Sequence, residues 1–345
     1  MIEIDGSQKS GSGTILRLSV ALATIIGQPL HIYNIRQNRP QPGLRPQHLE
    51  AVLTAAKICE AELEGASLDS RELWLKPKNI KGGEVEAEIG TAGSIPMLLM
   101  TILPICAFAE NTVNLHVSKG GTDVQHSPTI NYMRYVLLPT LKRMGLNIAL
   151  KVERYGYYPK GMGEVTLTVQ PCKSLLPLHL EDFGKMQTIK GVSVCTFLAE
   201  RKVAERQANA ANDYLKKKGY TADIRVVNDR SNPMQKGSSL VLLAETDAEV
   251  ILGADAIGEL RKTSEAVGSE AAEKLYEEIS TKPTVDVHLA DMLIPYMAMA
   301  KGKSSCLTRT ISEHLETNIW LTEKMLDVEF DLEKVGELYR VQKLG

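Results

Sequence analysis

Aromatic residues and cysteine motifs are scarce in this chain of 345 residues. Only 5% of the residues are aromatic, with four Phe and two Trp, so a core must rest on aliphatic side chains and Met. The five cysteines are widely separated and no CxxC motif occurs, which argues against a disulfide framework and against a cysteine-based zinc site. This cysteine usage predicts a reducing, cytoplasmic location.

The sequence also lacks an excess of charge and any long hydrophobic span. Its 40 basic and 42 acidic residues give a net charge of −2, which offers no general attraction for nucleic acid along a duplex. We therefore expect an RNA partner to be bound locally, for instance at one end. The longest apolar run, residues 95–109, is too short for a bilayer and contains two prolines, so it predicts a buried helix and no membrane partner.

A strand followed by a small-residue loop and a helix recurs along the chain. MIEID, SQKSGSG and TILRLSVALATII give the first example, and similar units follow at intervals of roughly 60–80 residues. We therefore predict an α+β fold of repeated units across residues 1–184 and 282–345. Residues 185–281 contain more highly charged helices and predict a separate small α+β domain inserted in the chain. A strand at 303–310 and the helix after it are expected to close the fold.

His314 stands in the first turn of that last helix. Thr310 precedes Glu313 by three positions, a capping-box pattern that predicts a helix start, and apolar residues repeat every four positions from Ile311. The positive end of a helix disfavours an imidazolium and attracts phosphate, so a neutral His314 is a candidate nucleophile or base. The alternative is a half-buried histidine at the edge of the core, and position alone favours this structural role.

Arg17 lies one turn inside an otherwise apolar helix predicted over residues 14–26. A cation in such a place needs an anion. The small-residue loop before this helix matches neither the Walker A loop nor the GxGxxG loop. It can offer backbone N–H groups to a phosphate, or it can be a tight turn before a capped helix.

Three arginines, Arg36, Arg39 and Arg45, precede a helix predicted to begin near Pro46. Arginine side chains at a helix start suit a phosphate, so we interpret the three as an anion clamp. A solvated basic loop is the alternative. His48 opens the same helix and is the main rival of His314 as a nucleophile.

Several longer motifs resemble those of one known family. These motifs are PGLRPQHL at 42–49, GTAGS at 90–94, SKGGTD at 118–123, GYYPKGMGE at 156–164, LAD at 289–291 and HLETNI at 314–319. Together they resemble the RNA 3′-terminal phosphate cyclases, and the similarity runs nearly from end to end. The resemblance implies repeated units of a small four-stranded sheet with two helices, similar to the enolpyruvyl transferases, and an inserted small α+β domain.

The resemblance also implies a reaction in three steps. A histidine attacks the α-phosphorus of ATP and retains AMP, the AMP passes to the 3′-terminal phosphate of an RNA, and the neighbouring 2′-hydroxyl closes a 2′,3′-cyclic phosphate. His314 matches the nucleophile. The positions that match phosphate binders for the RNA end or the triphosphate are Arg17, Arg36, Arg39 and Gln47. The positions that fall in the ATP pocket or near it are Met100, Pro128, His288, Asp291, Met292, Tyr157 and Pro159.

The chain departs from the family pattern around the nucleotide. An acidic residue of the first loop, which helps to hold the metal, is Ser10 here. We therefore expect Mg²⁺ or Mn²⁺ to be carried on the triphosphate, with Asp123 as a candidate helper. Met100 and Met292 replace glutamines, which predicts a relaxed choice of base, and His288 replaces a tyrosine.

A non-catalytic cyclase-like protein that binds RNA in ribosome assembly is the main alternative. Such relatives lack the nucleophilic histidine, so His314 favours the enzyme, while the changed nucleotide positions favour the alternative. A third possibility is a transferase of enolpyruvyl groups on the similar fold, which has no need of the HLETNI motif. The sequence leaves a monomer and a homodimer open.

Overall fold

The computed structural model describes all 345 residues, which form strands and helices that alternate along the chain. The strands, in chain order, are β1 (Ile2–Asp5), β2 (Leu30–Tyr33), β3 (Glu62–Glu64), β4 (Leu73–Lys76), β5 (Gly83–Glu88), β6 (Val113–Gly120), β7 (Asn147–Arg154), β8 (Gly163–Gln170), β9 (His179–Leu180), β10 (Met186–Thr196), β11 (Ala222–Asp229), β12 (Gly237–Thr246), β13 (Ile251–Ile257), β14 (Ser304–Thr308), β15 (Phe330–Val335) and β16 (Leu338–Lys343). Most of them fall where polar and apolar residues alternate.

The helices begin at small polar residues or prolines in most cases, as helix N-termini usually do. They are α1 (Gly13–Ile26), α2 (Pro46–Cys59), α3 (Ile95–Cys106), α4 (Ile130–Tyr132), α5 (Leu138–Arg143), α6 (Val203–Lys217), α7 (Ser264–Thr281), α8 (Val287–Met299) and α9 (Glu313–Met325). A π-helical turn, Met133–Leu137, joins α4 to α5. None of these helices is both long enough and apolar enough to cross a membrane.

Three of the four sheets share one topology. The strand order of the first sheet is β1-β2-β4-β3, in which the first pair is parallel and the other pairs are antiparallel. The orders β5-β6-β8-β7 and β9-β14-β16-β15 repeat this arrangement. Each unit reads strand, helix, strand, helix, strand, strand. The predicted repeat of α+β units is confirmed.

The fourth sheet interrupts the third repeat between β9 and α8. Its order is β11-β10-β12-β13, with α6 and α7 packed together against it. In β13, Asp255 accepts a hydrogen bond from the Thr129 backbone N–H at 2.7 Å, which ties this inserted unit to the second repeat. The assignment of residues 185–281 as a separate domain remains a prediction.

The helices of the three repeats pack against one another beneath the sheets. Helix α3 contacts α1, α2 and α8, and α9 contacts α1 and α8. The α3 sequence IPMLLMTILPIC is almost entirely apolar, and all of its residues except Met97 and Met100 are buried, which confirms the prediction of a buried helix in this segment. The packing brings the N-terminal turns of these helices to one place.

Two predictions about the C-terminal end are wrong. The chain does not close on the helix that carries His314, because β15 and β16 form a hairpin that completes the third sheet. Gly336 turns this hairpin with a φ of 61°, a conformation that glycine adopts easily. The cap of α9 is Ser312 and not Thr310, since the Ser312 hydroxyl accepts a hydrogen bond from the Leu315 backbone N–H at 2.9 Å.

Candidate active site

The N-terminal turns of five helices surround one cavity of about 640 Å³. Gly13 of α1, His48 of α2, Met97 of α3, His288 of α8 and His314 of α9 all line it. The N-terminal end of a helix carries partial positive charge and N–H groups that lack helical partners. Because five such ends converge, the cavity favours an anionic ligand.

Arg17, Arg36 and Arg39 form a basic wall of this cavity. Arg36 Nη1 donates to the carbonyl of Gln41 at 2.7 Å, and Arg39 Nη2 donates to the carbonyl of Ser10 at 3.0 Å. These bonds fix two of the side chains, but none of the three guanidinium groups pairs with a carboxylate. The three charges are therefore available to a phosphate.

The position of Arg17 is electrostatically unfavourable, because no carboxylate pairs with its guanidinium. Burial, and after it the charge of Arg36, lowers the pKa of Arg17 to about 10. The guanidinium stays protonated at neutral pH, so an uncompensated charge is held in partly dry surroundings. A bound anion would relieve this cost.

Arg45 does not belong to the basic wall. The predicted clamp of Arg36, Arg39 and Arg45 is therefore wrong for Arg45. Its guanidinium pairs with Asp69, which is distant in sequence, and it lies outside the cavity lining. Arg45 is the N-cap residue of α2. Arg17 takes its place beside the other two arginines.

His48 lies in the cavity wall and is largely buried, with a relative exposure of only 4%. Burial, followed by the charges of Arg17 and Arg36, lowers the pKa of His48 to about 2, so the ring stays neutral. Its Nδ1 accepts a hydrogen bond from the Arg45 backbone N–H at 3.4 Å, which places the ring proton on Nε2. A Cβ at Gly13 would lie 2.2 Å from this Nε2, so only glycine permits the packing.

His314 is the second residue of α9 and is exposed to the cavity. Partial desolvation, and after it the charge of Arg17, lowers the pKa of His314 below its ordinary value. The ring is therefore neutral at neutral pH and has a nitrogen lone pair free for attack. Its exposure argues against the alternative role as a core-edge histidine.

Asp291 holds the turn that carries His314. Ser312 Oγ, the cap of α9, donates to Asp291 Oδ1 at 2.6 Å, and Asn318 Nδ2 donates to the Asp291 carbonyl at 2.8 Å. Burial raises the pKa of Asp291 to about 7. Through these two bonds, Asp291 acts on the site as a positioning residue.

We expect Asp291→Asn to remove one source of pH-dependent stability. Between about pH 4 and about pH 7, folded Asp291 holds a proton that the unfolded chain has lost, so the stability of the intact protein falls as the pH rises. Asparagine can still accept the Ser312 hydrogen bond but does not titrate. The difference between the Tm of the variant and the Tm of the intact protein should therefore increase as the pH is raised from about 5 to about 8. Parallel Tm curves would contradict this prediction.

Met97, Met100, Pro128, Met292 and Pro295 form a second, apolar wall of the cavity. The spacing of three residues within α3 and within α8 places the members of each pair on one helix face. The cavity thus combines a basic wall with an apolar wall. Such a site suits a ligand with an anionic part and a flat, weakly polar part, as a nucleotide has.

Most of the predicted site residues come together in this cavity. They are Arg17, Arg36, Arg39, Gln47, Met100, Pro128, His288, Asp291, Met292 and His314. Gln47 also joins two of the helices, since its Oε1 accepts a hydrogen bond from the Ser94 backbone N–H at 2.7 Å. Ser94 caps α3, so this contact aligns the starts of α2 and α3.

Asp123, Tyr157 and Pro159 lie outside the cavity lining. Asp123 is buried and accepts hydrogen bonds from Thr122 Oγ1 at 2.6 Å and from the Ile130 backbone N–H at 3.3 Å. Nowhere in the chain do three or more His, Cys, Asp or Glu side chains converge to hold a metal ion. Asp123 therefore belongs to no protein-only metal site, and its role as a helper of a metal carried on the triphosphate stays a prediction.

The loop that contains Tyr157 and Pro159 contacts the inserted unit instead. The Tyr157 ring is buried against Gly237, where a Cβ would lie 2.0 Å from the ring, and its hydroxyl accepts a hydrogen bond from Thr196 Oγ1 at 3.3 Å. Pro159 is exposed on the surface. Their predicted place in the nucleotide pocket finds no support in these contacts.

Sequence reasoning missed His126, Asp255 and Lys274, which also line the cavity. Asp255 and Lys274 come from the inserted unit, and Lys274 Nζ donates to the Asp255 carbonyl at 3.1 Å. No local pattern marks these residues, because only the docking of the inserted unit brings them to the cavity. His126 precedes the cap of α4 in the Gly-rich loop, a location that could have been noticed.

Comparison with known proteins identifies the relatives of this chain. The sequence model of the family described as RTC, RNA 3′-terminal phosphate cyclase, matches residues 8–332. The chain is 42% identical over 344 residues to the RNA 3′-terminal phosphate cyclase of Pyrobaculum neutrophilum, covering 100% of this chain and 98% of that protein. It is also 42% identical over 347 residues to the protein of the same name from Pyrococcus furiosus, covering 99% of each.

Proposed function

Because this chain belongs to the RNA 3′-terminal phosphate cyclase family, we propose that it converts an RNA 3′-terminal phosphate to a 2′,3′-cyclic phosphate with consumption of ATP. The observation that supports this best is the setting of His314. Its ring is neutral and faces the cavity from the start of α9, and the positive charge of Arg17 helps to lower its pKa. Attack on phosphorus needs both a free lone pair and cationic groups that hold the phosphate.

In the first step, a His314 ring nitrogen attacks the α-phosphorus of ATP. A P–N bond forms, the bond from the α-phosphorus to the bridging oxygen breaks, and pyrophosphate leaves. The ring proton on the other nitrogen passes to solvent, which leaves AMP on a neutral histidine. The basic wall of Arg17, Arg36 and Arg39 is suited to hold the charge that moves onto the departing oxygens.

In the second step, an oxygen of the RNA 3′-phosphate attacks the phosphorus of the bound AMP. The P–N bond breaks, a P–O–P bond forms, and the histidine regains a proton. In the third step, the 2′-oxygen attacks the RNA phosphorus and loses its proton, a cyclic diester forms, and AMP leaves. Each step is a displacement at phosphorus, which positioning and positive charge accelerate.

The same cavity wall supplies a neutral donor beside the three cations. His48 Nε2–H has no partner within the protein and remains neutral, so it can donate to a phosphate oxygen without adding charge. Mg²⁺ or Mn²⁺ is proposed to arrive on the triphosphate of ATP, where it would neutralise charge. The remaining partner is an RNA with a 3′-terminal phosphate.

Labelling with ATP tests the proposal. The protein is incubated with α-labelled ATP and Mg²⁺ or Mn²⁺, and the denatured protein is assayed for a covalent label. We expect an adduct that is lost in acid and retained in base, as a phosphoramidate is. An RNA with a 3′-phosphate should discharge this adduct and gain a cyclic end, whereas the same RNA with a 3′-hydroxyl should do neither.

The absence of any adduct with both metal ions would refute the proposal. Retention of the 3′-phosphate RNA by the unlabelled protein would then favour the non-catalytic RNA-binding alternative. An adduct that is stable in acid and lost in base would move the attachment from histidine to another residue type.

A further inference from the structure

Loops at one end of the inserted sheet form a surface that the proposed chemistry does not use. The end of β10 pairs at Thr196 with Asp229 of β11 and with Gly237 of β12, and β13 ends beside them. The loops that follow these strands therefore emerge together, and a loop of the second repeat packs against them. We call these four loops the loop edge, and they are residues 156–162, 197–202, 230–236 and 258–262.

The loop edge exposes an unusual number of hydrophobic side chains. The whole chain exposes eight large hydrophobic residues, and each of the four loops contributes one of them, which are Tyr158, Phe197, Met234 and Leu260. Tyr158 is 78% exposed and Leu260 is 98% exposed, so these side chains are not the rim of a core. Hydrophobic residues that cluster on a surface mark a place of interaction.

The loop edge is also basic. Six of its positively charged side chains are exposed and form no ion pair within the protein, namely Lys160, Arg201, Lys202, Arg230, Lys236 and Arg261. A seventh, Lys262, pairs with Glu270. The exposed carboxylates of the same loops are Glu200 and Glu259 alone. The loop edge therefore has a positive local field, although the chain has a net charge of −2.

Hydrogen bonds hold the loop edge against the second repeat. Asn232 is fully buried, and its Nδ2 donates to the Tyr155 carbonyl at 2.7 Å and to the Gly161 carbonyl at 3.1 Å. The Lys160 backbone N–H donates to Gln235 Oε1 at 3.3 Å. The surface is therefore formed before a partner arrives, which lowers the cost of ordering it on binding.

The loop edge adjoins the cavity through the loop before α3. A Cβ at Gly161 would lie 2.8 Å from the Thr91 carbonyl oxygen, so the two loops are in direct contact. Ser94, which ends the loop before α3, is hydrogen-bonded to Ser127 of the cavity lining. A cavity of about 640 Å³ has the size of a single ligand site, so a longer RNA must leave it after its last nucleotides. The loop edge offers such a strand a basic surface within one loop of the cavity.

From this arrangement we propose that the loop edge binds the single-stranded RNA upstream of the 3′-terminal phosphate. The inference rests on the proposed function, since the RNA bound there is the one whose end reacts at His314. The cations are suited to the phosphates, and the exposed rings of Tyr158 and Phe197 are suited to stacking on bases. Unpaired cations among separate apolar side chains fit RNA better than a protein, because the core of a protein interface is depleted of charge.

The length of the RNA provides the first test. Kd is measured with the His314→Ala variant, which prevents chemistry, for a dinucleotide and for a single strand of about 15 nucleotides, both with a 3′-phosphate. We expect the long strand to bind at least about tenfold more tightly at low salt. It should also bind more tightly than a blunt duplex of equal length, whose bases are not free to stack. Equal affinities for the dinucleotide and the long strand would overturn the inference and favour a protein partner at the loop edge.

A double substitution, Arg230→Gln with Lys236→Gln, tests the position of the phosphate contacts. Both side chains are exposed and unpaired, so the fold should not change. The long strand should bind about tenfold more weakly, and the slope of log Kd against log[salt] should fall by about 1.4, since each phosphate contact to a single strand contributes about 0.7. Binding of the dinucleotide should not change.

Lys216→Gln with Lys217→Gln is the matched control. These two exposed lysines belong to the same inserted unit but stand at the far end of α6, about 20 Å along the helix from the loop edge. Their removal should change the affinity for the long strand by less than about twofold. An equal loss in the control and in the loop-edge variant would show that the charge of the whole unit, and not the loop edge, attracts RNA.

Phe197→Asn tests stacking separately from charge. Phe197 has a φ of 53°, a conformation that asparagine adopts more easily than a bulky residue, so the variant should keep its Tm. Loss of the ring should weaken binding of the long strand about tenfold and leave binding of the dinucleotide unchanged. An unchanged affinity for the long strand would refute the stacking role of this ring.

The two proposals fail in different ways. Equal kcat/KM values for cyclisation of the dinucleotide and of the long strand would leave the cyclase function standing and overturn the role of the loop edge. If the loop edge binds the long strand but ATP never labels the protein, the cyclase function fails alone. That result would favour the non-catalytic RNA-binding alternative.

Discussion

Replacing His314 by alanine is expected to abolish the covalent nucleotide adduct while the fold stays intact. The side chain is exposed to the cavity and makes no hydrogen bond within the protein, so the free energy of unfolding should change by no more than about 0.5 kcal/mol. The rate of adduct formation should fall at least about 10³-fold, because the attacking nitrogen is gone. Adduct yield and Tm are measured on the same preparation.

His48→Ala is the matched comparison, since both histidines line one cavity. His48 is buried against Gly13, so its removal leaves a void and should lower the Tm. Labelling should slow but persist, because the ring sits as a neutral donor and not as the nucleophile. A label that survives in His314→Ala and disappears in His48→Ala would reverse the two assignments.

The repeated units could be predicted because their signals are local. A small-residue loop before an apolar helix marks each unit, and the first turn of α3 is marked by a serine cap and a proline. The shared order of the sheets could not be predicted, since it depends on contacts between distant segments. Strand β9 has only two residues and pairs with β14 across the inserted unit. Two residues carry no periodic pattern.

The candidate site was predictable where a residue lies in a helix start. His314 and Gln47 could be placed in first turns, because caps and prolines are read from neighbouring residues. The prediction for Arg45 was wrong because it relied on nearness in sequence to Arg36 and Arg39. In the structure, Arg45 pairs with Asp69. Pairing of charges is a tertiary property, and the sequence does not display it.

The inserted unit also makes contacts with distant parts of the chain that the sequence does not show. Its own elements have helical and alternating patterns, so its α+β character could be predicted. Its contribution of Asp255 and Lys274 to the cavity could not, because it depends on how the unit docks. The hydrogen bond of the Gly253 backbone N–H to Asp286 Oδ2 at 2.9 Å is part of that docking.

Arg17→Met is expected to lower activity and raise stability at the same time. Arg17 has no carboxylate partner and lies beside Arg36, so its charge opposes folding. Methionine keeps much of the length and apolar contact of the side chain while it removes the charge, which should raise the free energy of unfolding by about 1–3 kcal/mol. The loss of one cationic group from the phosphate site should reduce kcat/KM for ATP by about 10²–10³-fold.

Arg45→Met separates this effect from a general response to the loss of a surface charge. Arg45 pairs with Asp69 and lies outside the cavity lining, so its removal should leave the Tm unchanged or lower it and should change kcat/KM by less than about threefold. Ligand linkage adds an independent measurement: pyrophosphate should raise the Tm of the intact protein and of Arg45→Met more than that of Arg17→Met. A fall in both stability and activity in Arg17→Met would show that the guanidinium supports the fold. In that case the unpaired charge would not be held for a ligand, and the basic wall would lose its central member.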